Sequence, residues 1–159
     1  MATFPRLRFA ADLVLSVGLL AIPARGVAQA PKPLYERLGG VYAIATVVDD
    51  FIERLLVNQV LNANPRINAA RAAVPKAGLK YRVTELVCQV TGGPCKYSGR
   101  DMKASHQHLN ISEAEWQAMA ADFKKTLDQF KVPAAEQQEL FAIVAGVKPE
   151  IVRQGGSGR

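Results

Sequence analysis

The sequence predicts an all-α domain built around four long helices. Apolar residues recur at spacings of three and four positions in four separate segments, as they do along one face of an amphipathic helix. Glycine and proline residues separate these segments from one another. No segment shows the sustained alternation of apolar and polar residues that is typical of a half-buried strand. These three observations favour a small helical fold.

The first long helix is predicted over residues 41–58. Its apolar face consists of Val41, Ile44, Val47, Val48, Phe51 and Leu55. Gly39 and Gly40 separate this helix from a short turn that precedes it. Residues 59–73 contain Pro65 and several asparagines, so we expect an irregular stretch or short turns before the second long helix.

The second long helix is expected to open at Pro75, because proline is well tolerated at the start of a helix. Its apolar face consists of Leu79, Val83, Leu86, Val87 and Val90. The sequence that follows, TGGPCKYSGR, contains three glycines and a proline and should end the helix.

The third long helix follows Ser112, which forms the pattern of a capping box with Glu115. Its apolar residues are Trp116, Met119, Phe123, Leu127 and Phe130. Pro133 opens the fourth long helix. The apolar residues that repeat there are Leu140, Val144, Val147 and Ile151. Pro149 lies within this last helix, at a place where a proline can kink it.

Residues 1–30 have the order of a secretory signal peptide. Two early arginines are followed by an apolar run over residues 13–22 and then by small residues. The run is too short to cross a bilayer, which takes about 20 residues. We therefore expect cleavage near Ala28 or Ala30, no stable membrane insertion afterwards, and a periplasmic or secreted protein. The alternative is a disordered or membrane-lying N-terminal arm.

Three parts of the chain follow from this pattern: a signal peptide over residues 1–30, one domain over residues 31–152 and a flexible tail over residues 153–159. The whole chain has 159 residues, with 20 basic and 14 acidic side chains. Residues 1–30 hold three arginines and one aspartate, so the remainder carries 17 basic and 13 acidic residues and a net charge of +4. The basic residues are scattered, so we expect no nucleic-acid partner.

The two cysteines, Cys88 and Cys95, flank a loop that contains Gly-Gly-Pro. Export would place them in an oxidising compartment, where a disulfide between them can form. The alternative is a buried Cys88 and a thiol at Cys95 in the loop. A zinc site that adds the two histidines is a third reading, but the spacing C-x6-C…H-x-H matches no usual zinc pattern.

The only two histidines, His106 and His108, lie two positions apart. On a helix such a pair is separated by about 200° of rotation, so both cannot face one pocket. Met102, His106 and Leu109 share one face, which makes His106 the inward candidate and His108 the solvent-facing one. Two readings of His106 stay open. It is either a hydrogen-bonded structural residue or the single protein ligand that a haem iron needs in an apolar slot.

Taken together, several segments resemble the group I truncated haemoglobins. They are LYERLGG, then VVDDFIERLL, then TGGPCKYSGR and, after Asp101, MKASHQHLNIS. The resemblance covers about residues 34–152. It implies a shortened globin in which two helices pack over two and enclose a b-type haem with its iron. It also implies oxygen transport or the binding of another diatomic gas, such as CO or NO.

The resemblance assigns roles to individual residues. His106 matches the proximal histidine that ligates the iron, and Met102 matches a residue that packs on the haem. Phe51 matches an aromatic residue on the distal side, which is the side opposite that histidine. Arg82 falls where the family often has a basic residue that reaches an anionic haem propionate, although a solvated helix position fits equally. Tyr97 matches the tyrosine after Gly-Gly-Pro, where packing and haem contact are both open.

The sequence departs from the family on the distal side. Ile52 stands where many members have a tyrosine, and Val83 stands where they usually have a polar residue, with Leu79 one turn earlier. The phenylalanine that wedges the haem is missing, and Ala70 and Arg71 are the best-matching positions. Because Ile52, Leu79 and Val83 offer no hydrogen-bond donor, we expect an apolar distal pocket that stabilises bound O2 weakly.

Two functions therefore stay open. The first is an exported haem protein that binds O2 or another diatomic gas, with NO dioxygenase or peroxidase-like chemistry as a side activity. The second is a globin-fold protein without haem that serves as a helical binding or structural module. The intact His106 favours the first function, and the missing phenylalanine favours the second. Tyr81 carries the nearest hydroxyl on the distal helix, and we expect it to point away from the pocket.

Overall fold

The computed structural model describes residues 31–153. The helices in this range are α1 (Leu34–Arg37), α2 (Gly40–Val57), α3 (Gln59–Asn62), α4 (Pro65–Ala72), α5 (Lys76–Val90), α6 (Met102–His106), α7 (Glu113–Gln129) and α8 (Ala134–Ile151). An isolated bridge between Ile111 and Val152 is the only strand-like pairing in the described residues, so the all-α prediction is confirmed. The predicted signal peptide and residues 154–159 lie outside the described residues.

The four long helices, α2, α5, α7 and α8, are the ones that the sequence predicts. Pro75, Ser112 and Pro133 are the N-cap residues of the last three. The capping box at the start of α7 is formed, because the Ser112 N–H donates to Glu115 Oε2 at 2.6 Å while Ser112 Oγ accepts from the Glu115 N–H at 3.3 Å. Pro149 lies inside α8, which continues past it to its end.

Residues 59–73 hold more regular structure than predicted, since they contain α3 and α4. Asn58 and Asn64 are the N-caps of these helices, and each side chain accepts hydrogen bonds from two backbone N–H groups of the first turn. Pro65 occupies the first position of α4, where its missing N–H costs nothing. The asparagines and the proline that indicated a loop therefore start two short helices.

The turn into α2 depends on two glycines. Gly39 and Gly40 have φ angles of +90° and +79°, which L-residues with a side chain rarely adopt. A Cβ atom on Gly39 would also come within 3.0 Å of the Ala43 Cβ atom. After the turn, the Val41 N–H donates to the Tyr35 hydroxyl at 3.1 Å, which fastens α1 to the start of α2.

Among the long helices, α2 contacts both α5 and α7, and the short helix α6 contacts α8. Their apolar side chains form three buried clusters, one around Ile52, one around Leu127 and one around Ile67. Members of all three clusters line an internal cavity, and Leu38 and Leu55 each pack against two of the clusters. None of the helices within residues 31–153 is long and apolar enough to cross a membrane.

Cys88 and Cys95 form a disulfide, and their Cα atoms lie 5.7 Å apart. α5 ends at Val90, and Gly92 then adopts a φ of +88° that turns the chain back. The Gly93 N–H donates to the Cys88 carbonyl oxygen at 2.8 Å, so the loop folds onto the end of the helix. Because the two sulfur atoms are bonded to each other, neither is a thiolate that could bind zinc.

Asp50 of α2 joins this helix to α7 through polar contacts. Its carboxylate accepts hydrogen bonds from Arg54 Nε at 2.6 Å, Thr126 Oγ1 at 2.7 Å and Gln129 Nε2 at 3.1 Å. Thr126 is fully buried, so its hydroxyl has no water to replace Asp50. Burial acts to raise the pKa of Asp50, but the hydrogen bonds and the charge of Arg54 outweigh burial and lower the pKa from 3.8.

Asp50→Ala is expected to lower the free energy of unfolding by roughly 1–3 kcal/mol, because a buried hydroxyl loses its acceptor. In the wild type, the stabilisation from Asp50 is present above the unfolded-state pKa of 3.8 and is lost as the pH falls through the lower folded-state pKa. Urea unfolding of the purified chain over this pH range measures both effects. Asp49→Ala is the control, because Asp49 is exposed and its ion pair with Lys80 should contribute about 0–1 kcal/mol. Equal losses at both positions would contradict the role assigned to Asp50.

Candidate functional site

A cavity of about 910 Å³ lies among the long helices. Hydrocarbon side chains of α2, α5, α7 and α8 form most of its wall, and α6 and the loop before it contribute polar groups. Protein interiors normally contain few voids larger than a water molecule, whereas ligand pockets occupy about 300–1,000 Å³. The size and the lining are therefore those of a binding site for a large and mostly apolar ligand.

The residues singled out in the sequence meet around this cavity. Its lining includes Phe51, Ile52, Leu79, Arg82, Val83, Tyr97, Met102 and His106. They come from α2, from α5 and from the stretch that contains α6. The packing of α2 against α5 and of α6 against α8 brings these distant parts of the chain to one place.

His106 is the last residue of α6, and its partly buried imidazole lies at the cavity wall. The imidazole Nδ1 lies 2.9 Å from the Met102 carbonyl oxygen. A carbonyl oxygen only accepts, so Nδ1 carries the proton and Nε2 keeps an unshared lone pair. Burial lowers the pKa of His106 below 6.5, against the opposing effect of the Met102 hydrogen bond. The side chain is thus a neutral imidazole whose Nε2 can ligate a metal ion.

The short helix α6 is fixed at both ends. Asp101 caps its start by accepting a hydrogen bond from the Ala104 N–H at 2.7 Å. Beyond its end, the Leu109 N–H donates to the His106 carbonyl oxygen at 2.8 Å, and the Leu109 side chain is buried. His108 is exposed, as expected, although it also contributes to the edge of the cavity lining.

The wall formed by α2 and α5 is hydrocarbon at three of the predicted positions. Ile52 is only 2% exposed and packs in one cluster with Leu79 and Val83. None of these side chains has a polar atom, so none can donate a hydrogen bond. Phe51 lies in the same cluster and packs against Phe123 of α7, with ring centres 5.2 Å apart.

Arg82 lies at the edge of the cavity and is already paired. Its guanidinium donates to Glu85 Oε2 at 3.0 Å, and the same oxygen accepts from Ser98 Oγ at 2.6 Å, which ties α5 to the loop before α6. The Arg82 side chain is 45% exposed. An ion pair this exposed is weak, so Arg82 can exchange it for another anion at little cost. Tyr81 is 59% exposed and does not line the cavity, in agreement with the expectation that it points away.

Tyr97 both orders the loop before α6 and lines the cavity. Its hydroxyl donates to the Arg100 carbonyl oxygen at 2.8 Å, and its N–H donates to Gln89 Oε1 at 2.7 Å. The ring lies against Gly99, where any Cβ atom would overlap it. Packing and ligand contact, the two readings of this tyrosine, are therefore compatible with each other.

Arg71 is a cavity-lining residue that the sequence patterns do not mark as functional. It is the next-to-last residue of α4, and its half-buried guanidinium donates to the Leu55 carbonyl oxygen at 2.7 Å and to Asn62 Oδ1. Burial lowers the pKa of Arg71 below its usual value, but an arginine at neutral pH stays charged. The one signal in the sequence is that Ala70 and Arg71 are the positions that best match the phenylalanine of the family.

A metal ion at His106 would have to bring most of its own ligands. Within residues 31–153, no three His, Cys, Asp or Glu side chains are placed to hold a metal ion together. Haem iron meets this condition, because the porphyrin supplies four ligands and one imidazole is enough to hold it. The large apolar cavity, the neutral imidazole and the arginines at the wall suit the apolar ring and the anionic propionates of haem.

Residues 33–152 match the family model described as bacterial-like globin. The chain belongs to this family. The globin is similar to two relatives named Group 1 truncated haemoglobin GlbN. The relative from Synechocystis is 33% identical over 72% of this chain and 87% of its own length. The relative from Mycolicibacterium paratuberculosis is 28% identical over 83% of this chain and 93% of its own length.

Solved structures show the same fold. The Fe(III) form of truncated haemoglobin from Tetrahymena pyriformis matches this globin with a TM-score of 0.65 and 21% identity, over 77% of this chain and all of the other. A 2/2 haemoglobin from Synechococcus, in the cyanomet state with covalently attached haem, has a TM-score of 0.61 and 27% identity, over 74% of this chain and 94% of its own. The predicted two-over-two globin fold is confirmed, and family membership implies a haem cofactor with iron and binding of a diatomic gas.

Proposed function

We propose that this globin is an exported haem protein that binds O2 or another diatomic gas at a b-type haem, with His106 as the only protein ligand of the iron. One observation carries the proposal: a neutral imidazole with an unshared Nε2 lone pair lies at the wall of an apolar cavity of about 910 Å³. Met102, one turn before His106, would pack on the haem from the same side. Arg82 would reach a propionate at the cavity edge.

The alternative function, a helical module without haem, is less well supported by the packing. Such a module gains stability by filling its interior, because apolar side chains that face an empty space lose their dispersion contacts. The clusters around Ile52, Leu127 and Ile67 instead leave a cavity between them. A bound haem would restore the lost contacts, so the cavity favours the haem protein.

We further propose that the distal pocket, formed by Phe51, Ile52, Leu79 and Val83, binds O2 without help from a short-range donor. Bound O2 carries partial negative charge, which a nearby N–H or O–H group stabilises. The hydrocarbon wall of α2 and α5 supplies no such group. CO stays nearly neutral when bound, so the lack of a donor should lower its affinity little. The pocket should therefore favour CO over O2 more than a pocket with a donor does.

Haem loading tests the proposal. Purified protein supplied with haem should show a Soret absorption band that survives gel filtration. His106→Ala should lose most of the haem, because the iron loses its protein ligand, whereas His108→Ala should retain it, because His108 is exposed. Haem loss from the His108 variant but not from the His106 variant would show that the ligand is misassigned. A wild-type protein without a Soret band would favour the module without haem.

Ile52→Tyr is expected to slow O2 dissociation by roughly two- to twelvefold, because one added hydrogen bond contributes about 0.5–1.5 kcal/mol. Stopped-flow displacement of O2 by CO measures the rate. Ile52→Phe is the matched control, since it adds the same ring without the hydroxyl. If both variants slow O2 release equally, the size of the added ring causes the effect and the hydroxyl contributes nothing. That result would contradict the proposal that the pocket lacks a donor for bound O2.

We also propose export with cleavage after Ala28 or Ala30. The arrangement of residues 1–30 supports it, and so does the disulfide between Cys88 and Cys95, since such bonds persist in oxidising compartments. N-terminal sequencing of the protein from its native host should find Gln29 or Pro31 as the first residue. An intact Met1 in the cytoplasmic fraction would remove the proposal of export.

A further inference from the structure

Arg71 places a positive charge at the wall of the cavity without a negative partner. Within residues 31–153, no carboxylate lies within 4.0 Å of its guanidinium. By contrast, Arg37, Arg54 and Arg82 each pair with a carboxylate. A half-buried cation of this kind is costly unless hydrogen bonds or an anion compensate it.

Two neutral acceptors hold the guanidinium in place. The Leu55 carbonyl oxygen accepts at 2.7 Å, and Asn62 Oδ1 is the second acceptor. These bonds fix the position of the guanidinium, but because both acceptors are neutral they do not neutralise its positive charge. A guanidinium has five N–H donors, so donors remain beyond the two that these contacts use.

The surroundings of Arg71 make the charge effective over a distance. Ala70, the residue before Arg71, packs against the apolar cluster around Ile67. Leu55 packs against the same cluster and lies three residues beyond Ile52 on α2, in the wall of the cavity. Coulomb interactions are several times stronger in such surroundings than in water. The guanidinium therefore acts on the interior of the cavity even where it makes no contact with a ligand.

We propose that Arg71 makes this globin selective for small monovalent anions as ligands of ferric haem iron. The inference rests on the proposed function, since it needs the haem that His106 would hold. The guanidinium should stabilise a bound ligand with a full negative charge most. It should stabilise bound O2, which carries a partial charge, less, and neutral CO least. On the haem that His106 would hold, such an anion would bind to the iron in place of water, and no electron would be transferred.

The experiment uses the haem-loaded protein and azide as the anionic probe. Absorbance titration gives the Kd of azide for the ferric protein, and flash photolysis gives the affinity of the ferrous protein for CO. Arg71→Gln removes the charge but keeps an amide that can still bond to Leu55 or Asn62. It should weaken azide binding by about tenfold and change CO affinity by less than about twofold, because only the charged ligand responds to the lost cation.

Two further variants control for charge and fold. Arg71→Lys keeps the charge and should retain azide affinity within about threefold of wild type. Lys76→Gln removes one positive charge only five positions later, from an exposed side chain that does not line the cavity, and should leave both affinities unchanged. The rate of haem transfer to apomyoglobin is measured for every variant as a readout that does not depend on the gas or the anion.

The outcomes separate the inference from the function on which it rests. If wild-type protein takes up no haem, both are overturned. If it takes up haem but Arg71→Gln binds azide as tightly as wild type, only the inference is overturned. A parallel loss of azide affinity, CO affinity and haem retention would show instead that Arg71 pairs with a propionate or supports the fold, and this result also overturns the inference.

Discussion

The hydrogen bond between His106 Nδ1 and the Met102 carbonyl oxygen is the contact on which the rest of the site depends. It fixes which nitrogen carries the proton and thereby leaves Nε2 with the unshared lone pair that the proposed ligation of iron requires. α6 has only five residues, too few to be stable by itself. Its position comes from the Asp101 cap, from buried Leu109 and from the loop before it, which the disulfide and Tyr97 hold against α5.

The cavity that would accept a ligand lowers the stability of the protein without ligand. Contacts outside the cavity must therefore hold the helices in position. Asp50 bonds to Thr126 between α2 and α7, and the more exposed Lys80 adds weaker ion pairs with Asp49 and Glu53 across the outer side of α2 and α5. These contacts fix the helices without filling the space between them. Polar contacts on the outside of the helices thus hold the globin together around its cavity, and haem would supply the apolar contacts that are missing inside.

Local patterns predict the long helices, because each has both an apolar face and a start signal, such as Ser112 with Glu115 or Pro133. Local patterns fail over residues 59–73, because an asparagine is common both in loops and at the N-cap of a helix. Whether a short helix forms there depends on packing with the rest of the chain. Local patterns also place His106 inward. The role of Arg71 lies beyond them, since its partner is the carbonyl oxygen of Leu55, 16 residues earlier, and backbone groups carry no sequence signal.

Arg71 also bears on the missing phenylalanine, which is the strongest argument against haem retention. An arginine stem can cover apolar surface while its head is bonded elsewhere, as the contacts to Leu55 and Asn62 allow. The exchange gives up aromatic contact area and adds a charge. Under the proposed function, that charge would disfavour the additional positive charge of ferric iron until an anion compensated it. Oxidation of the iron and binding of an anion should therefore be coupled, because each lowers the free-energy cost of the other.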